Sequence, residues 1–320
     1  MPDAGRQLQA WSEQSGGPDG KALEVLRLEG RTMTTSTSAA GEFRLGGDLR
    51  INRLGLGAMR LASGGWNGGA REPETSRAVL RRAVELGVNH IDTADFYRSR
   101  DGAVSANALI REALHPYPSD LVIATKVGPV VGPGGAAEAG PDDLRSLVEG
   151  NLEALGLDRL DLVYLRIGGW GGAPHGKSLA RRFEALAALR EQGLIRHLGL
   201  SNIDIDHLAE ARTIAPVVAV QNAFNFASPD DAGILDACAD QGVAFVPYSP
   251  LSGSSRMPSD SLTRVAARHG ATVSQLTLAR ILARSPVTLA IPGTGSIRHL
   301  EENMAARSIE IRPDDLADLA

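Results

Sequence analysis

From Gly41 onward the chain repeats one unit eight times: a short apolar stretch, a polar break, then residues that are apolar at helical spacing. The apolar stretches are "RLGLG" through Leu54 to Gly57, "VNHIDT", "LVIATKVG", "LDLVYLRI", "IRHLGLSN", "VVAVQNAF", "VAFVPYSPL" and "VTLAIPG". Cores such as "LVIAT", "VVAV" and "VAFV" carry no polar alternation, as expected of parallel strands covered on both faces. The intervening segments read as helices. "PETSRAVLRRAVELG" has Thr75 or Ser76 near its N-cap and Gly87 at its end, and "GPDDLRSLVEGNLEALGL" has an Asp-rich first turn that suits the helix dipole. Eight strand-then-helix units predict an α/β fold closed into a (β/α)8 TIM barrel. An open doubly wound sheet competes, but it normally carries G-x-G-x-x-G after its first strand, and "LGLGAMR" supplies only the first two glycines.

Ahead of the repeats, "EFRLGGDLRIN" reads as a β-hairpin turning at Gly46-Gly47. Residues 1–40, rich in Gly, Ser, Thr and charge, read as a flexible N-terminal extension, with Met33 an alternative start; residues 41–320 form the barrel domain. The stretch "VGPVVGPGGAAEAG" reads as a long, featureless loop.

Composition removes several classes of function. A net charge of −5 offers no broad basic face, so no nucleic-acid partner is expected. The lone Cys238 leaves no intrachain disulfide and no cysteine-built zinc site, and its apolar setting predicts burial. The seven histidines form no close pair, so no metal is expected. No apolar run is long enough to span a membrane and the first residues lack a leader's apolar core, so a cytoplasmic protein is expected.

In a barrel of this kind the active site is built at the C-terminal ends of the strands. Those ends collect Met59, Asp92, Tyr97, Lys126, Arg166, Ser201, Asn202, Gln221, Tyr248 and Ser249. Singly, each has an ordinary reading: Asp92 as a turn cap, Lys126 as a solvated loop end, Asn202 as a helix cap. Together they make a proton-delivery unit. An ammonium beside a phenol favours the phenolate and lowers its pKa, and a carboxylate keeps that ammonium charged and aimed. The phenol can then protonate an alkoxide as it forms.

The motifs "GVNHIDTADFY", "ATKVG", "LDRLDLVYL", "IRHLGLSN", "VVAVQNAFN", "VPYSPL" and "IPGTGSIRHLEEN" together resemble those of the aldo-keto reductases over residues 41–320. The resemblance implies reduction of a small-molecule aldehyde or ketone with NADPH bound across the barrel mouth, NADH being an open alternative. It implies Tyr97 as general acid, Lys126 as the partner that lowers its pKa and Asp92 as the lysine's counter-ion. Gly57, Ala58 and Met59 would border the cofactor, and Ser201, Asn202 and Gln221 would hold the nicotinamide carboxamide. Tyr248 would stack on the ring, Ser249, Pro250, Leu251 and Ser252 would lie beside the pyrophosphate, and Ile291, Gly293, Thr294, Ser296, Arg298, Glu302 and Asn303 would meet the adenosine end. A non-catalytic NADPH-binding redox sensor is the alternative from another class, disfavoured by retention of all three of Asp92, Tyr97 and Lys126.

Two departures stand out. Arg166 occupies the place of the family's usual catalytic histidine, so an always-charged fork replaces a neutral imidazole. It either polarises the carbonyl or anchors an anionic group beside it, or it points away to pair with an acidic loop residue. Gly293 stands where many relatives carry a lysine for the 2′-phosphate, leaving backbone N–H groups and Arg298 as substitutes. Among relatives the pattern most resembles bacterial pyridoxal reductases, whose substrate carries an aldehyde beside a ring phenolate. A secondary-metabolite aldehyde, ketone or imine is the competing substrate class. Trp170, in the Gly168–Gly172 loop, is either a stacking surface for an aromatic substrate or a cover for the barrel rim. Oligomeric state is not legible.

Overall fold

The computed structural model of the protein describes residues 41–64, 69–132, 135–168, 173–224, 232–251 and 259–319. The expected extension 1–40, Trp170 and Ser252 lie outside the described residues. Strands β1 (Glu42–Leu45) and β2 (Leu49–Asn52) form the expected hairpin, with Leu45 opposite Leu49. Gly46 and Gly47 hold φ values of 62° and 86°, a region side chains disfavour, which is why the turn falls there.

The barrel strands are β3 (Leu56–Gly57), β4 (His90–Asp92), β5 (Val122–Val127), β8 (Leu160–Arg166), β9 (Ile195–Ser201), β10 (Val217–Gln221) and β11 (Ala244–Phe245). They lie side by side in that order, every pairing parallel. Residues 287–293 supply the eighth position. Leu289 N donates to Phe245 O at 2.8 Å on one side, and Ala290 N donates to Arg53 O at 2.8 Å on the other. Parallel bridges Phe245–Thr288, Leu54–Ala290 and Gly57–Gly293 complete the circle. Arg53, buried at this seam, donates to the carbonyls of Leu282, Ser285 and Thr288; burial lowers its pKa to about 10, and three acceptors offset the cost of burying its charge.

Two apolar layers result. Val122, Ala124, Leu162, Tyr164, Ala219, Val246 and Leu289 fill the barrel interior, and Leu45 and Ile51 of the hairpin pack into the same cluster. The hairpin turn is tied to β9: Asp48 accepts from Arg196, and His197 Nε2 lies 2.7 Å from Asp48 Oδ1. The outward faces of the strands pack against the helices, for example Ile91, Ile123 and Val163 against Leu80, Ile110 and Val148. Cys238 is buried, and burial pushes its thiol up to about 12.

Three details differ from the sequence reading. The helix Pro73–Glu85 is capped by Glu72, whose carboxylate accepts from the N–H groups of Glu74 and Thr75. Ser76 instead donates to Leu61 O. The loop after Lys126 has structure: β6 (Pro129–Gly132) and β7 (Gly135–Glu138) form an antiparallel ribbon. A closing helix, Pro313–Leu319, was not expected and is anchored through Asp315, whose side chain has no solvent exposure. Asp315 accepts from Arg268 Nη1 and Arg312 N, with His269 Nε2 at 2.8 Å.

That anchor has a pH signature. Burial raises the Asp315 carboxyl, but hydrogen bonds from Arg312 N–H, His269 and Arg268 outweigh it and hold it at about 2, below the usual carboxylate range. A depressed folded pKa stabilises fully above the unfolded value and is lost as pH falls through the folded one. Asp315→Asn is expected to lower Tm by roughly 5–10 °C at neutral pH. Thermal melts against pH should show that gap constant down to about pH 4 and narrowing below it.

Candidate active site

The strand registers gather the polar residues. Asp92 ends β4 opposite Ala124, so Lys126, two residues further along the same face of β5, stands one layer above it. Arg166 is paired with Ser201, and Ser201 with Gln221, so the ends of β8, β9 and β10 meet at one level. Tyr97 lies in the loop after β4, its N–H donating to Ala94 O and its carbonyl accepting from Ala106 N–H.

Lys126 is the hub. Its Nζ donates to Asp92 Oδ1 at 2.6 Å and to Thr93 O at 3.0 Å, with lysine and aspartate almost wholly buried. It lies 4.8 Å from the centroid of the Tyr97 ring, against the phenol. Burial disfavours the ammonium, yet Asp92 and Tyr97 together raise its pKa, so it stays charged. For Tyr97 the balance differs from the sequence expectation of a net lowering. Burial, joined by the Asp92 charge, raises the phenol's pKa, and this outweighs the pull of the Lys126 and Arg166 charges. The group is held as the neutral phenol.

Arg166 points into the mouth. It is 9% exposed, its Nη1 lies 3.3 Å from Ser201 Oγ, its Cζ lies 5.3 Å from the Tyr248 ring centroid, and its charge acts on Tyr97. Ser201 and Asn202 are buried beside it. Asn202, at φ 61°, donates to Ile167 O, and its Oδ1 accepts from the Tyr248 hydroxyl at 3.3 Å. Gln221 donates to Asp92 Oδ2 at 2.7 Å, a bond to the carboxylate paired with Lys126 that sequence reading did not foresee. Ser249 is exposed with φ 56°, Pro250 is buried and Leu251 half-buried.

Around the rest of the rim, Gly57 and Ala58 are buried under residues 291–293, Met59 opens a short helix, and Ala58 N donates to Asp92 O. Thr294 Oγ1 accepts from Ser296 N, and Ser296 caps the helix Ile297–Ala305. Arg298 lies on the exposed face of that helix against His299, 2.8 Å away. Glu302 accepts from Thr272, while Asn303 and Ile291 are buried. Two arginines not anticipated from the sequence stand at this loop. A Cβ on Gly295 would lie 2.6 Å from Arg71 Cζ, and one on Gly293 would lie 3.4 Å from Arg60 Cγ. They sit over 200 residues earlier in the chain, so only closure of the barrel discloses them.

Beneath the mouth, Tyr164 and His90 are wholly buried, and among the described residues neither the Tyr164 hydroxyl nor either His90 ring nitrogen has a hydrogen-bond partner. Burial drops His90 to about 4 and raises Tyr164 well above the ordinary phenol range, so both are neutral. A Cβ on Gly199 would meet the Tyr164 ring at 2.6 Å, which explains glycine there.

Comparison with known proteins agrees with this architecture. Residues 53–320 match the model of the aldo/keto reductase family. The chain is 45% identical over 276 residues to pyridoxine 4-dehydrogenase of Escherichia coli (strain K12), covering 85% of this chain and 95% of that one. Among solved structures, a thermostable aldo-keto reductase in complex with the inhibitor epalrestat superposes with a TM-score of 0.72 at 31% identity, over 87% of this chain and 97% of that one. The aldo/keto reductase from Klebsiella pneumoniae in complex with NADP and acetate gives 0.71 at 26% identity, over 87% and 93%. The (β/α)8 barrel with its N-terminal hairpin is thus the fold of these relatives, and the chain belongs to the aldo/keto reductase family.

Proposed function

We propose that the protein is an NADPH-dependent carbonyl reductase in which Tyr97 is the general acid, and that pyridoxal, reduced to pyridoxine, is its substrate. The observation that carries this reading is the buried Asp92–Lys126 pair set against the Tyr97 phenol beside Arg166. The substrate is supported by the 45% identity to a pyridoxine 4-dehydrogenase across nearly all of that enzyme.

The mouth suits a dinucleotide. Buried Ser201, Asn202 and Gln221 present amide and hydroxyl groups for a carboxamide, the partly exposed Tyr248 offers a ring face, and the N–H groups of the Gly293–Ser296 loop open a capped helix. When bound, the reduced nicotinamide supplies the hydride to the carbonyl carbon. The protein's part is the proton. Tyr97 donates its hydroxyl proton to the carbonyl oxygen as negative charge grows there, and Lys126 stabilises the phenolate left behind. Asp92 keeps Lys126 protonated and fixed. Arg166, a second buried cation facing Tyr97, favours an oxygen-rich substrate such as an aldehyde flanked by a ring phenolate.

Phosphate charge at the Gly293–Ser296 loop is met by Arg71, which lies across Gly295, with Arg298 a second source. An NADPH-consumption screen of pyridoxal against aromatic aldehydes lacking the neighbouring hydroxyl tests the whole reading. Pyridoxal should be turned over with the highest kcat/KM, and failure to reduce any carbonyl would leave a cofactor-binding sensor. Tyr97→Phe should lower kcat at least about 100-fold with little change in cofactor KM. Arg166→Met should cut kcat/KM for pyridoxal about 10-fold or more, and less for aldehydes without the second oxygen; equal losses would remove its substrate role. Arg71→Ala should raise KM for NADPH about 10-fold while leaving NADH unaffected.

A further inference from the structure

Behind the catalytic strands, on the side facing the helices, four polar side chains with no solvent exposure form one chain of hydrogen bonds: Thr93, Asn107, Asn151 and Thr125. Thr93 Oγ1 donates to Asn107 Oδ1 at 2.8 Å, and Asn107 Nδ2 donates to Asn151 Oδ1 at 3.0 Å. Thr125 Oγ1 donates to the same Asn151 Oδ1 at 2.6 Å, and Asn151 Nδ2 donates to Leu147 O at 2.8 Å. The last bond orients all the others. A carbonyl can only accept, so Asn151 must turn its nitrogen to Leu147 and its oxygen to Thr125 and Asn107. Asn107 must then offer its own nitrogen to Asn151 and its oxygen to Thr93.

The placement of the four residues gives the network its meaning. Thr93 follows Asp92 directly, and Thr125 precedes Lys126 directly. Thr93 and Asn107 are the first and last residues of the stretch that carries Tyr97, so their bond closes that loop at its base. Within the loop, the Tyr97 carbonyl accepts from Ala106 N–H, the residue adjoining Asn107. Asn151, on the helix Leu144–Leu155, joins the closed loop to the strand bearing Lys126. A buried polar network of this kind is costly unless every member is satisfied, and here three of the four bonds involve a residue adjoining Asp92 or Lys126 or the base of the Tyr97 loop.

We propose that Thr93, Asn107, Asn151 and Thr125 are positioning residues that hold the Tyr97 loop against Lys126, so that the phenol meets the ammonium in the geometry proton transfer needs. This rests on the reading of Tyr97 as the general acid. All four lack solvent exposure and so act only through other groups, and a misplacement of about 1 Å from such a distance is enough to cost about 100-fold in rate.

The test is the pH dependence of kcat for pyridoxal reduction in Thr93→Val, Thr93→Ser, Thr125→Val and Tyr97→Phe, with active sites counted by cofactor-fluorescence titration. In reduction the phenol must carry its proton, so activity falls as pH rises through the pKa of Tyr97. Loosening Tyr97 from Lys126 removes an influence that lowers that pKa. Thr93→Val is therefore expected to lose about 10-fold or more in kcat per active site, with its alkaline limb moved upward and cofactor affinity retained. Thr93→Ser, which keeps the hydroxyl, should restore both. Thr125→Val should act in the same direction from the lysine side, and it serves if Thr93→Val fails to fold. A purely structural role would lower yield or Tm but leave kcat per active site and the limb unchanged, and that result in either valine variant overturns the proposal. If Tyr97→Phe is inactive while the valine variants match the wild type, only the positioning role falls. If Tyr97→Phe keeps its activity, the acid assignment falls and the proposal with it.

Discussion

A lysine and an aspartate, both almost fully out of water, face each other at 2.6 Å at the top of a closed barrel. As a source of stability such a pair is poor, because desolvation consumes most of what the Coulomb attraction returns. Its value is electrostatic and positional. Low local dielectric and a second acceptor at Thr93 O fix one ammonium at one point, with its charge undiluted by solvent. Three further groups at the mouth are arranged around that charge. Gln221 takes the free oxygen of Asp92, Tyr97 lies against the lysine, and Arg166 brings a second cation to bear on the same phenol.

Parallel register makes this possible. Each strand delivers its last inward residue one step around the barrel from its neighbour's, so residues far apart in sequence arrive at one level. Closure through residues 287–293 then brings the Gly293–Ser296 loop beside Gly57 and against the arginines after β3. The floor beneath, with the neutral Tyr164 and His90, adds no competing charge below the pair. The two opposing forces on Tyr97 are thus separable: burial keeps the phenol protonated, and the cations lower the cost of ionising it.

Much of this was legible in the chain. Apolar strand cores recurring with helical segments are enough to specify a barrel, and strand-end polarity is enough to nominate Asp92, Lys126 and Arg166. Details that depend on neighbours across space were not. Glu72 displaced Thr75 and Ser76 as the cap because Ser76 is spent on the Leu61 carbonyl of an adjoining element. The β6–β7 ribbon was unreadable because its strands are four residues each and glycine-broken, too short for alternation; Glu138 at its end secures it by accepting from Gly168 N and pairing with Arg182. The sign of the Tyr97 shift was missed because a sequence names the charges but not the depth of burial. Arg71 and the Thr93–Asn107–Asn151–Thr125 network were hidden for the same reason: their partners are set by packing, not by spacing.

The central claim is that the charge of Lys126 eases ionisation of Tyr97, and it is open to direct measurement. With only four tyrosines in the chain, ring-labelled tyrosine resolves each phenol by NMR, and Tyr97 can be titrated in the cofactor-bound protein and in Lys126→Met. The account predicts a clear upward displacement of the Tyr97 titration in the variant, accompanied by loss of turnover. An unmoved titration, with the protein folded and cofactor bound, would contradict it.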